Sequence, residues 1–416
     1  MSSGRRFNIS QFSDEDRRYV ESILLDVRNR GDEALLDYTS RSKPFDNVKL
    51  SKDMLRVGEE ELEESEKNVP AEVRKAVSFM MKRISKIVKT QMKMFSHLSL
   101  RDNGFEYNMR FYPIEKIGVL APGGMASYVS SLVMAAYPAV LLGVKDICVF
   151  TPPRPDGSVN PVILYAAKLM SLKKVYRCNM VAGVGALAFG TESVPRVYKI
   201  FGAGNRFVIL AKMIVNSYGV AIDIPAGPSE LVVLADSSAD PNLIALDLAA
   251  QAEHLQSFTA LVTESNNVAS SVKEIIGRLS KKYGLKLEMD IHIVKSLEEG
   301  VEICNSLAPE HLSLYVREPR KLVRRLTVAG TVFIGGTSPT AVGDYASGSI
   351  HILPTGEYAR IRGGLTVLDY LRIVSYQKFS PKFLKLVQKH VKILSLVEGL
   401  PLHGLSVDAR LEEVDL

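Results

Sequence analysis

The chain has 416 residues, 46% hydrophobic and 24% charged, a globular balance that is too long for one core and suits two or three domains. Three widely spaced cysteines, Cys148, Cys178 and Cys304, exclude a disulfide framework and fit a reducing cytoplasm, and with no apolar leader and no run of ~20 apolar residues neither secretion nor a membrane is expected. The net charge of +6 and pI near 9.0 allow an anionic partner, but the basic residues are spread along the chain, which argues against nucleic acid.

In chain order, periodicity predicts helices over residues 14–36 and 71–94. The one dense basic run, Lys82, Arg83, Lys86, Lys89 and Lys93, interleaves with Ile84, Ile87, Val88 and Met92 at helical spacing and reads as a solvated helix face. Residues 105–112 read as an extended pair. From Lys116 onward apolar β-type runs appear at 117–121, 147–151, 176–181, 220–224, 231–235, 259–263, 291–294, 312–316 and 331–334. Helical segments separate most of them, at 130–142, 161–171, 207–218, 243–255, 270–283, 297–307 and 319–329. Buried strands alternating with helices predict an α/β protein with parallel-rich sheets. The number of strands points to two Rossmann-like halves meeting near Pro225-Ala226-Gly227-Pro228. A helix over 379–397 follows, and beyond it Pro401, flanked by Gly399 and Gly404, predicts an extended tail able to reach across an interface or to fold back.

The chemistry concentrates in a few clusters. Gln251 and His254 are three residues apart near the end of a predicted helix, so an amide and an imidazole share one face and could share a divalent metal. Only seven histidines occur in the chain, and two more lie in Pro309-Glu310-His311 and shortly after Gly343-Asp344-Tyr345-Ala346-Ser347-Gly348, at His351. A carboxylate and an imidazole flanking one carbon suit two proton transfers, one from an alcohol and one from a water. The plainer alternative is an exposed Glu310 beside a satisfied His311. Asp344 reads as a ligand or as a turn cap. Phe201-Gly202-Ala203-Gly204-Asn205 and Pro122-Gly123-Gly124 both follow strands and precede helices, the context for a phosphate at a helix N-terminus and equally for a tight βα turn. His97, His292 and His390 read as structural, and Cys148, inside a buried strand pattern, as inert.

These residues carry a resemblance. The chain resembles the histidinol dehydrogenase family over nearly its whole length. The matches are Arg30-Gly31-Asp32-Glu33-Ala34-Leu35, Ala121-Pro122-Gly123-Gly124, Ala188 to Pro195, Phe201 to Asn205, Pro225 to Glu230, Gln251 to His254, Pro309 to His311, Gly343 to Gly348, His351 to Thr355, and Glu398 with His403. The resemblance implies a zinc- and NAD-dependent oxidation of L-histidinol to L-histidine, the last step of histidine biosynthesis. By position it implies zinc on Gln251, His254, Asp344 and, from a partner subunit, His403. Ser229 and Glu398 would join those ligands and His311 in contacting substrate. His311 would be the alcohol's general base, Glu310 would activate the attacking water, and Asn205 would contact NAD.

The resemblance also implies domains: a helical region at 1–118 joining the first Rossmann-like domain at 229–370, which carries the metal and acid/base residues; a second, NAD-side domain at 119–228; and a helical tail at 371–416 exchanged in a homodimer. Four positions depart from the family pattern: Leu120 replaces an aromatic that packs on NAD, Ala182 a glutamine that contacts it, Ala203 a proline and Ile350 an asparagine. The metal and acid/base positions stay intact while cofactor contacts are thinned. The alternatives are a family paralogue oxidising another small polar alcohol, or a non-catalytic, nucleic-acid-binding relative.

Overall fold

The computed structural model describes residues 12–41, 50–95, 98–123, 128–254 and 257–411. The chain divides into two compact units, Met1–Lys89 with Ile114–Tyr370, and Thr90–Pro113 with Leu371–Leu416.

The first unit begins with α1 (Asp14–Arg30), whose start is a capping box: Ser13 Oγ accepts from Asp16 N, and the Asp16 carboxylate accepts from Ser13 N, both at 3.0 Å. The single helix expected over 14–36 is broken at Gly31 (φ +57°), after which α2 (Asp32–Ser40) runs on. A Cβ at residue 31 would lie 2.4 Å from the Glu192 carboxylate, which accepts from Asp32 N at 2.9 Å. Buried Asp32 in turn accepts from Thr191 Oγ1 and Ser193 Oγ, each at 2.5 Å. The Gly31-Asp32 and Thr191-Glu192-Ser193 motifs thus form one structural lock. Helices α3 (Lys52–Leu55), α4 (Glu59–Glu64) and α5 (Ala71–Met92) follow, then strands β1 (Leu98–Asp102) and β2 (Phe105–Pro113) of the second unit.

The first large sheet is built from β3 (Lys116–Leu120), α6 (Val129–Leu141), β4 (Asp146–Thr151), α7 (Pro161–Leu169), β5 (Lys174–Arg177), α8 (Met180–Phe189), β6 (Lys199–Phe201), α9 (Arg206–Asn216) and β7 (Ala221–Ile222). Its order is β5-β4-β3-β6-β7, with every pair parallel. The second is built from β8 (Glu230–Ala235), α10 (Pro241–Ala252), β9 (Phe258–Thr263), α11 (Asn266–Tyr283), β10 (Asp290–Ile293), α12 (Leu297–Leu307), β11 (His311–Tyr315), α13 (Pro319–Val323) and β12 (Thr331–Ile334). Its order, β10-β9-β8-β11-β12, repeats the first topology, again all parallel. In each sheet the chain winds outward one way and then restarts beside its first strand, so the strand order reverses between β3 and β6 and between β8 and β11.

Both faces of the second sheet are covered, which is why its strands read as unbroken apolar runs. Val232, Leu234, Val262, Leu312 and Leu314 pack under α12, while Leu231, Val233, Leu261 and Tyr315 pack with Ile244, Leu248, Val272 and Ile276 of α10 and α11. The expected domain plan joins residues 1–118 to the 229–370 half. Instead Val20, Leu24 and Val27 of α1 share the core of the first sheet with Val184, Leu187 and Val208, whereas α5 reaches the other half through Arg83, whose Nε donates to Ser347 O at 3.3 Å.

Further element boundaries differ from expectation. The run at 176–181 ends as a strand at Arg177, because Asn179 caps the unpredicted α8 by accepting from Val181 N and Ala182 N. The helix expected over 319–329 stops at Val323, and the one over 243–255 is α10, capped by Asp240. Leu255, His97 and Gly124 lie outside the described residues. After β12, α14 (Thr340–Tyr345) follows.

The second unit has a three-stranded antiparallel sheet, β1-β2-β13, completed by β13 (Leu371–Phe379). Helix α15 (Pro381–Val397) starts at Ser380, whose hydroxyl accepts from Phe383 N at 3.3 Å. The extended tail expected after residue 397 is a helix, α16 (Pro401–Asp408), with Pro401 in its first turn, where a missing N–H is harmless. It packs back on α15, with Gly404 against Ser395 and Asp408 held by Gln388 Nε2 at 2.8 Å and Lys392 Nζ at 3.0 Å.

Candidate active site

The second sheet places its polar residues at the amino edge of the strands. Ser229 precedes β8, Glu310 precedes β11, and His311 opens β11 opposite Leu231. Helix α10 leaves the carboxyl end of β8 and must return to start β9, so Gln251 and His254, at its C-terminal end, come back to the same edge. Helix α10 ends at Ala252, so His254 lies beyond it in a turn, its N–H donating to Gln251 O at 3.3 Å, and the expected helical face stops short of His254. Asp344 arrives on α14, near the end of that short helix and not at its N-cap, which is Pro339. Gly343 is required there, because a Cβ would lie 2.6 Å from the Phe333 ring.

Burial removes the plainer reading of Glu310-His311. Both are buried, at 6% and 3% exposure, which excludes an exposed glutamate. Glu310 Oε2 accepts from Ser229 Oγ at 2.6 Å and from Glu230 N at 2.8 Å. Burial nonetheless pushes its carboxyl up to about 7, against the stabilising His311, Ser229 and Glu230 N–H. The His311 ring has its Nδ1 2.9 Å from Glu230 O. A carbonyl only accepts, so Nδ1 carries a proton, and in the neutral ring Nε2 presents a lone pair. Among the described residues Nε2 has no hydrogen-bond partner; Asp344 Oδ1 lies 3.8 Å away. The Gln251 side chain is buried at 3% exposure with its amide nitrogen unpartnered among the described residues. Such orphaned polar atoms are costly unless a ligand completes them.

Two residues that the motif reading did not assign complete the support. Glu230, fully buried, supplies the carbonyl for His311, and its carboxylate accepts from Glu310 N at 3.3 Å and Gly356 N at 3.1 Å. His351 Nδ1 donates to Asp344 O at 2.9 Å, and its Nε2 lies 3.3 Å from Ser131 Oγ on α6. Burial holds its imidazole below the usual range, opposed by Asp344, and His311 and His254 are close enough to act on it too. That brings the residues around Asp344, His311 and His254 into one neighbourhood.

The first sheet offers the opposite edge. The loop Gly202 to Asn205 leaves β6, and Ala121-Pro122-Gly123 leaves β3, so both lie at the carboxyl side of the strand-order reversal, where open α/β sheets take ligands. Gly202 (φ +112°) passes over β3 so closely that a Cβ would lie 2.4 Å from Leu120 O. Asn205 caps α9, its Oδ1 accepting from Phe207 N at 3.0 Å and Val208 N at 3.1 Å. Leu120 and Ala182 are wholly buried in the core of this sheet, so neither presents side-chain surface to a cofactor in this structure. Glu398 and His403 belong to the second unit, at the end of α15 and on α16.

A sequence model of the histidinol dehydrogenase family matches residues 8–411. A histidinol dehydrogenase of Bacteroides fragilis is 36% identical over 406 residues, covering 95% of this chain and 93% of its own length. One of Methanosarcina mazei is 39% identical over 399 residues, covering 94% and 91%. The crystal structure of histidinol dehydrogenase from Elizabethkingia anophelis superposes with a TM-score of 0.90 at 33% identity, covering 96% of this chain and 93% of that one. With a family match across nearly its full length, relatives above a third identical and the same fold, the chain belongs to the histidinol dehydrogenase family.

Proposed function

We propose that this protein oxidises L-histidinol to L-histidine through the aldehyde, using two NAD+ in turn. The observation that carries the proposal is the division of labour in the buried Glu310-His311 pair. His311, with Nδ1–H committed to Glu230 O and Nε2 open, is a base for the alcohol proton. Glu310, held near neutrality by burial, can take a proton from water in the second step and release it afterwards. When bound, NAD would accept the hydrides and zinc would orient the substrate through its nitrogen donors.

The residues fit both groups. Gln251, His254 and Asp344 offer an amide, an imidazole and a carboxylate, with an unpartnered buried amide among them. Among the described residues no three His, Cys, Asp or Glu side chains are grouped to hold a metal, so a closed set needs one more donor, the role we give to His403. Ser229 and Glu398 would contact substrate. For NAD, the switch-point loops and the capped start of α9 suit a pyrophosphate, with Asn205 beside it.

We further propose a homodimer in which α15 and α16 complete the partner's site. The second unit exposes Leu386, Ile393, Leu394, Leu396, Val397 and Leu402 along these helices, an apolar surface expected of an interface. Buried free thiols at Cys148, Cys178 and Cys304 suit the cytoplasm.

The test separates the two steps. Glu310→Gln should convert histidinol to the aldehyde level and stall, whereas His311→Asn should slow alcohol oxidation by ~10²–10⁴. Oxidation of supplied histidinal by Glu310→Gln at the wild-type rate would overturn the assignment.

A further inference from the structure

Helix α9 carries a lysine in the middle of an apolar run, and it is 1% exposed. All three protons of the Lys212 ammonium are committed: to Gly202 O at 2.6 Å, to Ile224 O at 3.0 Å, and to the Asp223 carboxylate. The other oxygen of Asp223 accepts from Gly202 N at 2.7 Å. The buried ion pair therefore grips both polar atoms of one residue, Gly202, where the chain leaves β6 and crosses Leu120.

An ion pair is an expensive way to hold a turn. Well-packed apolar side chains of similar volume are often as stabilising, so such a pair is weak grounds for stability alone. Here it fixes the peptide planes on either side of Gly202. The second of those planes carries Ala203 N, which therefore points away from the carbonyl that Lys212 holds, and Gly204 N follows one residue on. Ala203 N and Gly204 N have no acceptor among the described residues, and the capped first turn of α9 follows directly. A Cβ at residue 204 would lie 2.5 Å from Val208, so the loop is also pressed onto the helix it opens. The result is a row of donors held rigid from beneath, the geometry that binds a phosphate without reorganisation.

We propose that Lys212 and Asp223 are positioning residues for the dinucleotide: they never touch it, and they hold the Gly202–Asn205 loop in the form that accepts its pyrophosphate. This rests on the NAD reading of that loop given above. It also explains how cofactor binding is kept although Leu120 and Ala182 supply no surface, because the backbone carries the contact instead.

The experiment is NAD+ titration by calorimetry on the zinc-loaded full-length protein, without histidinol and well below the melting temperature. Lys212→Met alone strands a buried carboxylate and can fail to fold, so it is paired with Asp223→Asn, which keeps an acceptor for Gly202 N. A second pair, Lys212→Met with Asp223→Leu, removes both tethers. Asn205→Ala, within the loop itself, locates the cofactor. The expected result is a Kd for NAD+ raised about tenfold in the first pair and further in the second, with zinc content unchanged. ADP-ribose should lose the same factor. If Asn205→Ala weakens NAD+ while both folded pairs bind it as the wild type does, the ion pair is only structural and the proposal is overturned. If Asn205→Ala and both pairs all leave binding unchanged, the cofactor lies elsewhere and the underlying reading falls as well.

Discussion

Ser229→Ala tests the acid/base arrangement through its electrostatics. Ser229 Oγ donates to Glu310 Oε2 at 2.6 Å, and that bond favours the ionised carboxylate, which burial already pushes up to about 7. A hydrogen bond to a charged group contributes about 1.5–3 kcal/mol, and about 1.4 kcal/mol corresponds to one pH unit. Removing it should therefore raise the midpoint by about one to two pH units, less whatever the Glu230 N–H at 2.8 Å recovers. The sign follows from the chemistry: Glu310 acts as a base only when ionised, so the activity is present above its midpoint and lost as pH falls through it. The assay is the pH dependence of kcat for oxidation of supplied histidinal at saturating substrate and NAD+. Wild type should lose rate below about 7, whereas Ser229→Ala should lose it from a higher pH, with rate at neutrality down roughly tenfold and recovered in alkali. An acid limb that does not move in Ser229→Ala would refute Glu310 as the group whose ionisation is read.

His254→Ala should remove most of the bound zinc and the activity with little loss of fold, as metal analysis and a thermal melt would show; full zinc occupancy would remove His254 from the ligand set. Leu120→Tyr should lower thermal stability by about 1–3 kcal/mol and weaken NAD+ binding, because the side chain is fully enclosed beneath Gly202 and a tyrosine overpacks that core instead of offering a platform. Tighter NAD+ binding in calorimetry would show that the position opens toward the cofactor. A His403→Ala chain mixed with a His254→Ala chain should regain activity after subunit exchange, since in a shared-site dimer both lesions fall in one site and leave the other intact. Inactive mixtures that nonetheless contain mixed dimers would place His403 in its own chain's site.

Much of the fold was legible because buried parallel strands are continuous apolar runs of the right length, as in Leu231 to Ala235 and Leu312 to Val316. Helix α8 was not, since Met180 to Phe189 is apolar all round with Gly183 and Gly185 inside it, and such a segment has no face to detect. Strand β13 was hidden for the opposite reason, being almost wholly exposed along Leu371 to Phe379. At the site, Gln251 and His254 could be paired by spacing alone, and Glu310 with His311 by adjacency. That all of them gather at the amino edge of the second sheet depends on the turn-back of α10 and α14, which no local pattern encodes. Lys212 and Asp223 escaped for a similar reason: a lysine within an apolar helix and an aspartate after a two-residue strand declare a partnership only once both are buried against Gly202.

The most direct measurement is the stoichiometry of NADH formed by the purified, zinc-loaded protein against a panel of amino and hydroxy alcohols. The account predicts two NADH per L-histidinol consumed, with L-histidine as product and no accumulating aldehyde. A preference for another alcohol, or a single NADH per histidinol with the aldehyde released, would contradict it.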